Sequence, residues 1–176
     1  DVANDTVIVS DVTINNIVLA ECATLTVNSG ASLTLNGALT NSGAITINSR
    51  GSFLQGNSSS ISGSGSFSVK RQGTNNGNNY NYWSTPVASG SVPGSSIYLY
   101  NSVNGTNGYT DDNNPNPDGG WAAFSGAMGI ARGYASRGGG LATFSGSPNN
   151  GNISYAVTTS GQPLNSAVPA ESGQAS

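Results

Sequence analysis

Residues 24–43, TLTVNSGASLTLNGALTNSG, align without gaps on residues 44–63, AITINSRGSFLQGNSSSISG. The match sets Leu25 on Ile45, Val27 on Ile47, Asn28 on Asn48, Leu33 on Phe53 and Gly43 on Gly63. Within each copy the apolar residues alternate, as in Leu25 and Val27 or Leu33 and Leu35, the period-2 pattern of strands with one buried face. The Asn-Ser-Gly and Asn-Gly steps between them supply residues that tolerate positive φ, which turning the chain requires. One unit is therefore about 20 residues long, a length that suits one coil of a parallel β-helix.

Working outward, TVIVS at 6–10 and VTINN at 12–16 resemble TLTVN and LTLNG with a shortened join, and GSFSVKR at 65–71 begins another copy. That makes roughly three and a half coils. An antiparallel meander also satisfies the alternation, but a fixed period with equivalent residues favours stacking, because like then covers like one repeat later.

The repeat fades after Arg71. Residues 72–81, QGTNNGNNYN, are almost wholly polar and read as a loop or linker with no buried position. Both tryptophans and every tyrosine lie beyond Arg71, whereas residues 1–71 hold only Phe53 and Phe67 as aromatics. The second half reads as short strands at 96–101, 129–137, 141–146 and 152–159, the last two flanking SPNNG at 147–151, whose Asn-Gly suits a type I′ hairpin turn. The fold expected is all-β: a β-solenoid over 1–71, a join at 72–81, a β-sandwich-like or irregular antiparallel domain with an aromatic core over 82–160, and a tail or linker over 161–176.

Composition narrows the function. The 176 residues are only 7% charged, with five cations, eight acids and no histidine, for a net charge of −3. Nucleic acid is an improbable partner, because binding it needs clustered Lys and Arg and only Lys70 and Arg71 are adjacent. Apolar runs are too short to cross a membrane as a helix. Without histidine no Ser-His-Asp or Cys-His arrangement forms, and Cys22 reads as a small buried side chain. The acids of the first half, Asp5, Asp11 and Glu21 together with the terminal Asp1, cluster at its start and are not spread along a groove, so no enzyme activity is expected.

Three constellations bear on binding. In TDDNNPNPDGG at 110–120, Asp112, Asn114, Asn116 and Asp118 recur every second residue, a spacing that wraps oxygen ligands around Ca²⁺. Pro117 stands where an EF-hand needs glycine and no bidentate Glu follows, so the competing reading is a polar turn held open by Pro115 and Pro117, with no cofactor at all. The aromatic residues, Trp83 and Trp121 foremost, are either glycan-stacking platforms or the core of the second half. Asp5-Thr6-Val7 has the form of a short O-glycosylation sequence at Thr6, and Asn4, Asn57, Asn104 and Asn152 each begin an N-x-Ser/Thr tripeptide.

Taken together, LTVNSGASLTLNGALTNSGAITINSRGSF, NYWSTPV, GIARGYASR and ATFSGSPNNGNISYAVT resemble the large surface-exposed and secreted proteins of Bacteroidota, long repeat-rich chains that usually end in a type IX secretion sorting domain. The resemblance covers roughly residues 20–160. It implies an extracellular or cell-surface location and a place in adhesins, filaments or multi-domain hydrolases. The tryptophan-containing Gly-Asn-Pro segment that follows the hairpin in such proteins is missing before Ser176, which suggests a fragment of a longer protein. The function expected is a structural or adhesive module that partners other copies of itself, through exposed strand edges near Asp1, or other surface proteins, with glycans as a further candidate partner. The alternative is a non-catalytic carbohydrate-binding module of a secreted hydrolase.

Overall fold

Strands whose alternate residues are apolar need a cover for one face, and here each coil covers the next. The computed structural model describes residues 1–74, 77–100 and 121–154. Its first nine strands are β1 (Thr6–Ile8), β2 (Val12–Ile14), β3 (Ile17–Leu19), β4 (Thr24–Val27), β5 (Ser32–Leu35), β6 (Ala38–Asn41), β7 (Ala44–Ile47), β8 (Ser52–Gln55) and β9 (Ser60–Ser62). After them come β10 (Ser66–Gln72), β11 (Tyr80–Trp83), β12 (Ser95–Tyr100), β13 (Trp121–Ala123), β14 (Tyr134–Arg137) and β15 (Leu141–Ser145). The first half is a parallel β-solenoid in which β1, β4, β7 and β10 form one wall, β2, β5 and β8 a second, and β3, β6 and β9 a third. Among the described residues no helix is long and apolar enough to cross a membrane.

The predicted pairs stack as equivalents: Leu25 lies opposite Ile45, Val27 opposite Ile47 and Leu33 opposite Phe53. All but the half-buried Phe53 are buried, and Phe67 and Val69 continue the first wall. Outside, Asn48 Nδ2 donates to Asn28 Oδ1 at 3.2 Å and the Thr46 and Ser68 hydroxyls meet at 3.2 Å, so polar residues also stack like on like.

Three features depart from the ungapped repeat. Each coil has a third strand, ALTN in β6, whose short apolar content hides it in the sequence. On that wall Leu39 lies opposite Ile61, two residues beyond the 20-residue step, because the corner Gly56–Ser59 closes as a turn in which Ser59 N donates to Gly56 O at 2.9 Å. Gly43 consequently sits beneath Gly65 rather than Gly63, so close that a Cβ on Gly65 would collide with Gly43 O. Asn41, buried there, locks the corner: its Nδ2 donates to Ser66 O at 3.0 Å and its Oδ1 accepts from Gly43 N at 3.1 Å.

The first strand is also shifted. Matching TVIVS letter for letter on TLTVN sends Val7 and Val9 inward, but the register pairs Thr6 with Leu25 and Ile8 with Val27. Ile8 is 7% exposed, against 55% for Val7 and 72% for Val9. The shortened join is the cause: with Val9 inward only Ser10 and Asp11 would remain to turn the corner before Val12. Because a one-residue slip exchanges the two faces of a strand, Ile8→Asp should cost about 3 kcal/mol or more and Val9→Asp about 0.5 kcal/mol or less in urea unfolding.

The boundary expected at 72–81 does not separate two compact bodies. β15 pairs antiparallel with β10, Val69 against Phe144 and Arg71 against Ala142, so the second half supplies the last strand of the first solenoid wall. The described residues of 1–99 and 123–154 fall within one compact unit. Nor is the 72–81 stretch wholly exposed: Gly73 and Asn81 are buried, and Asn81 Nδ2 donates to Gly138 O at 2.5 Å. Of the strand expected at 152–159 after the 147–151 turn, residues 152–154 carry no strand and the rest lie outside the described residues. Segment 147–149 instead pairs with 86–88, through Ala88 N to Ser147 O and Asn149 N to Pro86 O. Gln55, inward where the preceding coil has Leu35, donates from Nε2 to Asn149 O at 2.8 Å and so fastens this segment to the last coil.

Beside the solenoid, β11, β14 and β12 form an antiparallel sheet in that order. Its inner face carries Trp83, Tyr134 and Ser136, all buried. Of GIARGYASR only the last four residues are strand.

Candidate functional site

Two surfaces carry the residues singled out in the sequence. The first is the opening coil. β1 pairs only with β4 and β2 only with β5, so each has a free edge among the described residues. β3 is partly covered by the chain's own start, since Val2 N donates to Val18 O at 2.8 Å and Ala20 N to Val2 O at 2.9 Å. In a parallel pair the N–H and C=O of one residue point the same way. Ile8 O accepts from Asn28 N, so the N–H and C=O of Val7 face the free edge.

Side chains on this coil do work that backbone carbonyls do further along. Asp11 Oδ1 accepts from Ser32 N at 3.0 Å and Ser32 Oγ at 2.7 Å, where one coil later Ala31 O accepts from Ser52 N. Asn16 Oδ1 accepts from Ala38 N at 2.8 Å, where Gly37 O later accepts from Ser60 N. Asp5 Oδ1 accepts from Thr24 Oγ1 at 2.8 Å. Asp5 and Asp11 thus support the corners of the second coil, while Asp1, Asp5, Asp11 and Glu21 give the coil an acidic rim without a basic residue before Arg50.

Thr6 lies in β1 beside this edge, half-buried, its hydroxyl donating to Asn4 O at 3.4 Å. Cys22 is not buried as expected: Ala23 takes the inward position, and Cys22 sits exposed in the turn before β4 with φ 63°.

The second surface is the β11–β14–β12 sheet, and it splits the aromatic residues between its faces. Trp83, expected as a glycan platform, is 7% exposed and points inward. Its Nε1 donates to Ser136 Oγ at 3.0 Å, Ser136 Oγ donates on to Pro93 O, and its ring lies 6.2 Å from that of Phe144. Gly73 and Gly139 press on the same ring, where a Cβ on either would stand 3.0–3.1 Å from Cζ2. Trp83 therefore offers no face for stacking a sugar. Trp121 opens β13 and is half-buried. The outer face bears Tyr80, Tyr82 and Tyr98, with Tyr82 74% exposed, a set the period-2 alternation of YNYW already separates from Trp83. The predicted calcium ligands Asp112, Asn114, Asn116 and Asp118 lie outside the described residues.

A cavity of about 140 Å³ sits between the last coil and residues 146–150, lined by Asn41, Phe67, Pro148 and several glycines and serines. No titratable side chain lines it. Near the other face, Arg71 points inward at the end of the solenoid, donates from Nη1 to Lys70 O at 2.8 Å and has its pKa lowered by burial.

Parallel coils whose first wall ends in a single antiparallel strand define a short β-solenoid protein with an appended antiparallel sheet. The chain belongs to the family DUF8693, a domain of unknown function, whose profile matches residues 1–174. No curated protein and no solved structure matches it.

Proposed function

We propose that the chain is a structural or adhesive module of an extracellular bacterial surface protein or fibre, of the Bacteroidota type that its sequence resembles, and that it associates with further copies through the edge of its first coil. The observation that carries this reading is the contrast between the two edges of the solenoid's first wall. At one, β15 reverses the chain direction and stops the stacking of parallel strands. At the other, β1 presents unpaired backbone groups, the standard template for adding a strand. A solenoid suits a load-bearing or adhesive role because each coil rests on its neighbour and the exposed polar walls stay extended.

The acidic rim sets the conditions for association. Two copies meeting edge to edge bring like charges together, a repulsion that salt screens within about 8–10 Å at physiological ionic strength. Sedimentation velocity should therefore find self-association that grows with protein concentration and with added salt. Val7→Pro removes an edge-facing N–H without touching the β1–β4 ladder, a place where proline is tolerated. It should leave the far-ultraviolet circular dichroism unchanged and return the protein to monomer. A wild-type chain that stays monomeric at its solubility limit in high salt, or a Val7→Pro variant that associates equally well, would sink the assembly reading.

A further inference from the structure

The outer face of the β11–β14–β12 sheet is built around one cation. Arg137 lies opposite Tyr80 on β11 and Ser95 on β12, and Ala135 opposite Tyr82 and Tyr98. The register shifts between Ser95 and Tyr98, with Ser96 at φ 47°, and this bulge sets Tyr98 across from Ala135. Bulges of this kind re-aim side chains, and left-handed backbone at a non-glycine residue costs energy that is most often met at binding sites. The Tyr80 and Tyr98 rings meet edge to face at 6.0 Å, and Arg137 Cζ stands 5.1 Å from the Tyr80 centroid. Ala135, small and buried, lies opposite both Tyr82 and Tyr98, so the two tyrosines stand on either side of it.

No ion pair or hydrogen bond engages the Arg137 guanidinium among the described residues, and its Nε is buried without an acceptor. The described acids, Asp1, Asp5, Asp11 and Glu21, all belong to the first coil. A guanidinium held by an aromatic ring is a fork for a planar carboxylate. Tyrosine rings beside it supply apolar faces on which a sugar ring packs.

From this we infer that the outer sheet face is a binding site for acidic polysaccharide, with Arg137 taking the carboxylate of a uronic acid and Tyr82 and Tyr98 flanking its ring. The site is distinct from the assembly edge and stands or falls independently of it. Net charge −3 works against unspecific attraction of polyanions, so binding isolates the local geometry.

The test is affinity electrophoresis and calorimetry of the whole chain with polygalacturonate, fully methyl-esterified polygalacturonate and double-stranded DNA. Binding should be confined to the free acid and weaken with salt. Arg137→Gln should reduce it by about 10- to 100-fold, the range for a charge-assisted hydrogen-bonded pair. Arg137→Lys should retain part of it, and Tyr82→Ala should lower it by about 2- to 10-fold. Tyr82 is largely exposed, so its truncation leaves the fold intact and keeps the test decisive even if Arg137→Gln unfolds. No binding of the free acid, equal binding of the ester or of DNA, or affinity unchanged in Tyr82→Ala would each overturn the assignment.

Discussion

Trp83→Ala should lower the unfolding free energy by about 3–5 kcal/mol, the range for removing a buried aromatic side chain from a core that cannot collapse around the void. The ring is wedged between Phe144, Gly73 and Gly139, and the two glycines supply backbone that cannot move in to fill the space. Its loss also strips Ser136 Oγ of the donor at Nε1 while that hydroxyl remains bound to Pro93 O. Urea unfolding followed by circular dichroism measures the change, and Trp83→Phe should cost less because most of the apolar volume stays. A carbohydrate-binding role for Trp83 makes the opposite forecast, in which stability is retained and only ligand affinity falls. An unchanged urea midpoint in Trp83→Ala would therefore refute the buried placement.

Breaking the junction between β10 and β15 should be comparably damaging. Gly146 N donates to Phe67 O and Gly73 N to Gly140 O, which fixes the phase of the antiparallel ladder. The hydrogen-bonded pairs are then Val69 with Phe144 and Arg71 with Ala142, while the N–H of Thr143 points away from β10. Ala142→Pro should cost about 3 kcal/mol or more, by deleting a ladder bond in a strand buried against the core. It should also bare the β10 edge, so that light scattering and thioflavin fluorescence rise on mild heating. Thr143→Pro, one residue away, removes an N–H that the ladder does not use and should be much milder. Equal effects from the two substitutions would mean that the β10–β15 pairing is not what closes the solenoid wall.

Much of the solenoid is legible in the sequence because its physical signal is local and repeated. Leu25 with Ile45 and Leu33 with Phe53 occupy equivalent places since each must meet its copy across one inter-strand spacing, and nothing but period and apolarity is needed to see it. The third strand escapes the same reading because its inward residues in the second coil are Leu39 and Asn41, a weak alternation in which a buried asparagine replaces an apolar residue. The slip of β1 escapes because it depends on how many residues a corner needs, which strand patterning does not encode. On the outer face, YNYW does disclose that Tyr80 and Tyr82 share one side and Trp83 the other, yet it leaves open which side is the core.

From sequence alone came an all-β chain and the stacking of like residues at a step of about 20, since each rests on residue type and spacing along the chain. Only the tertiary structure decided that β15, about seventy residues beyond β10, closes the solenoid's first wall, that Trp83 is core, and that Arg137 lies over the ring of Tyr80 on the neighbouring strand. Those outcomes depend on strand pairing between distant segments. Backbone hydrogen-bonding capacity is nearly the same at every residue, so the choice of partner is made by packing and is not written into any one stretch.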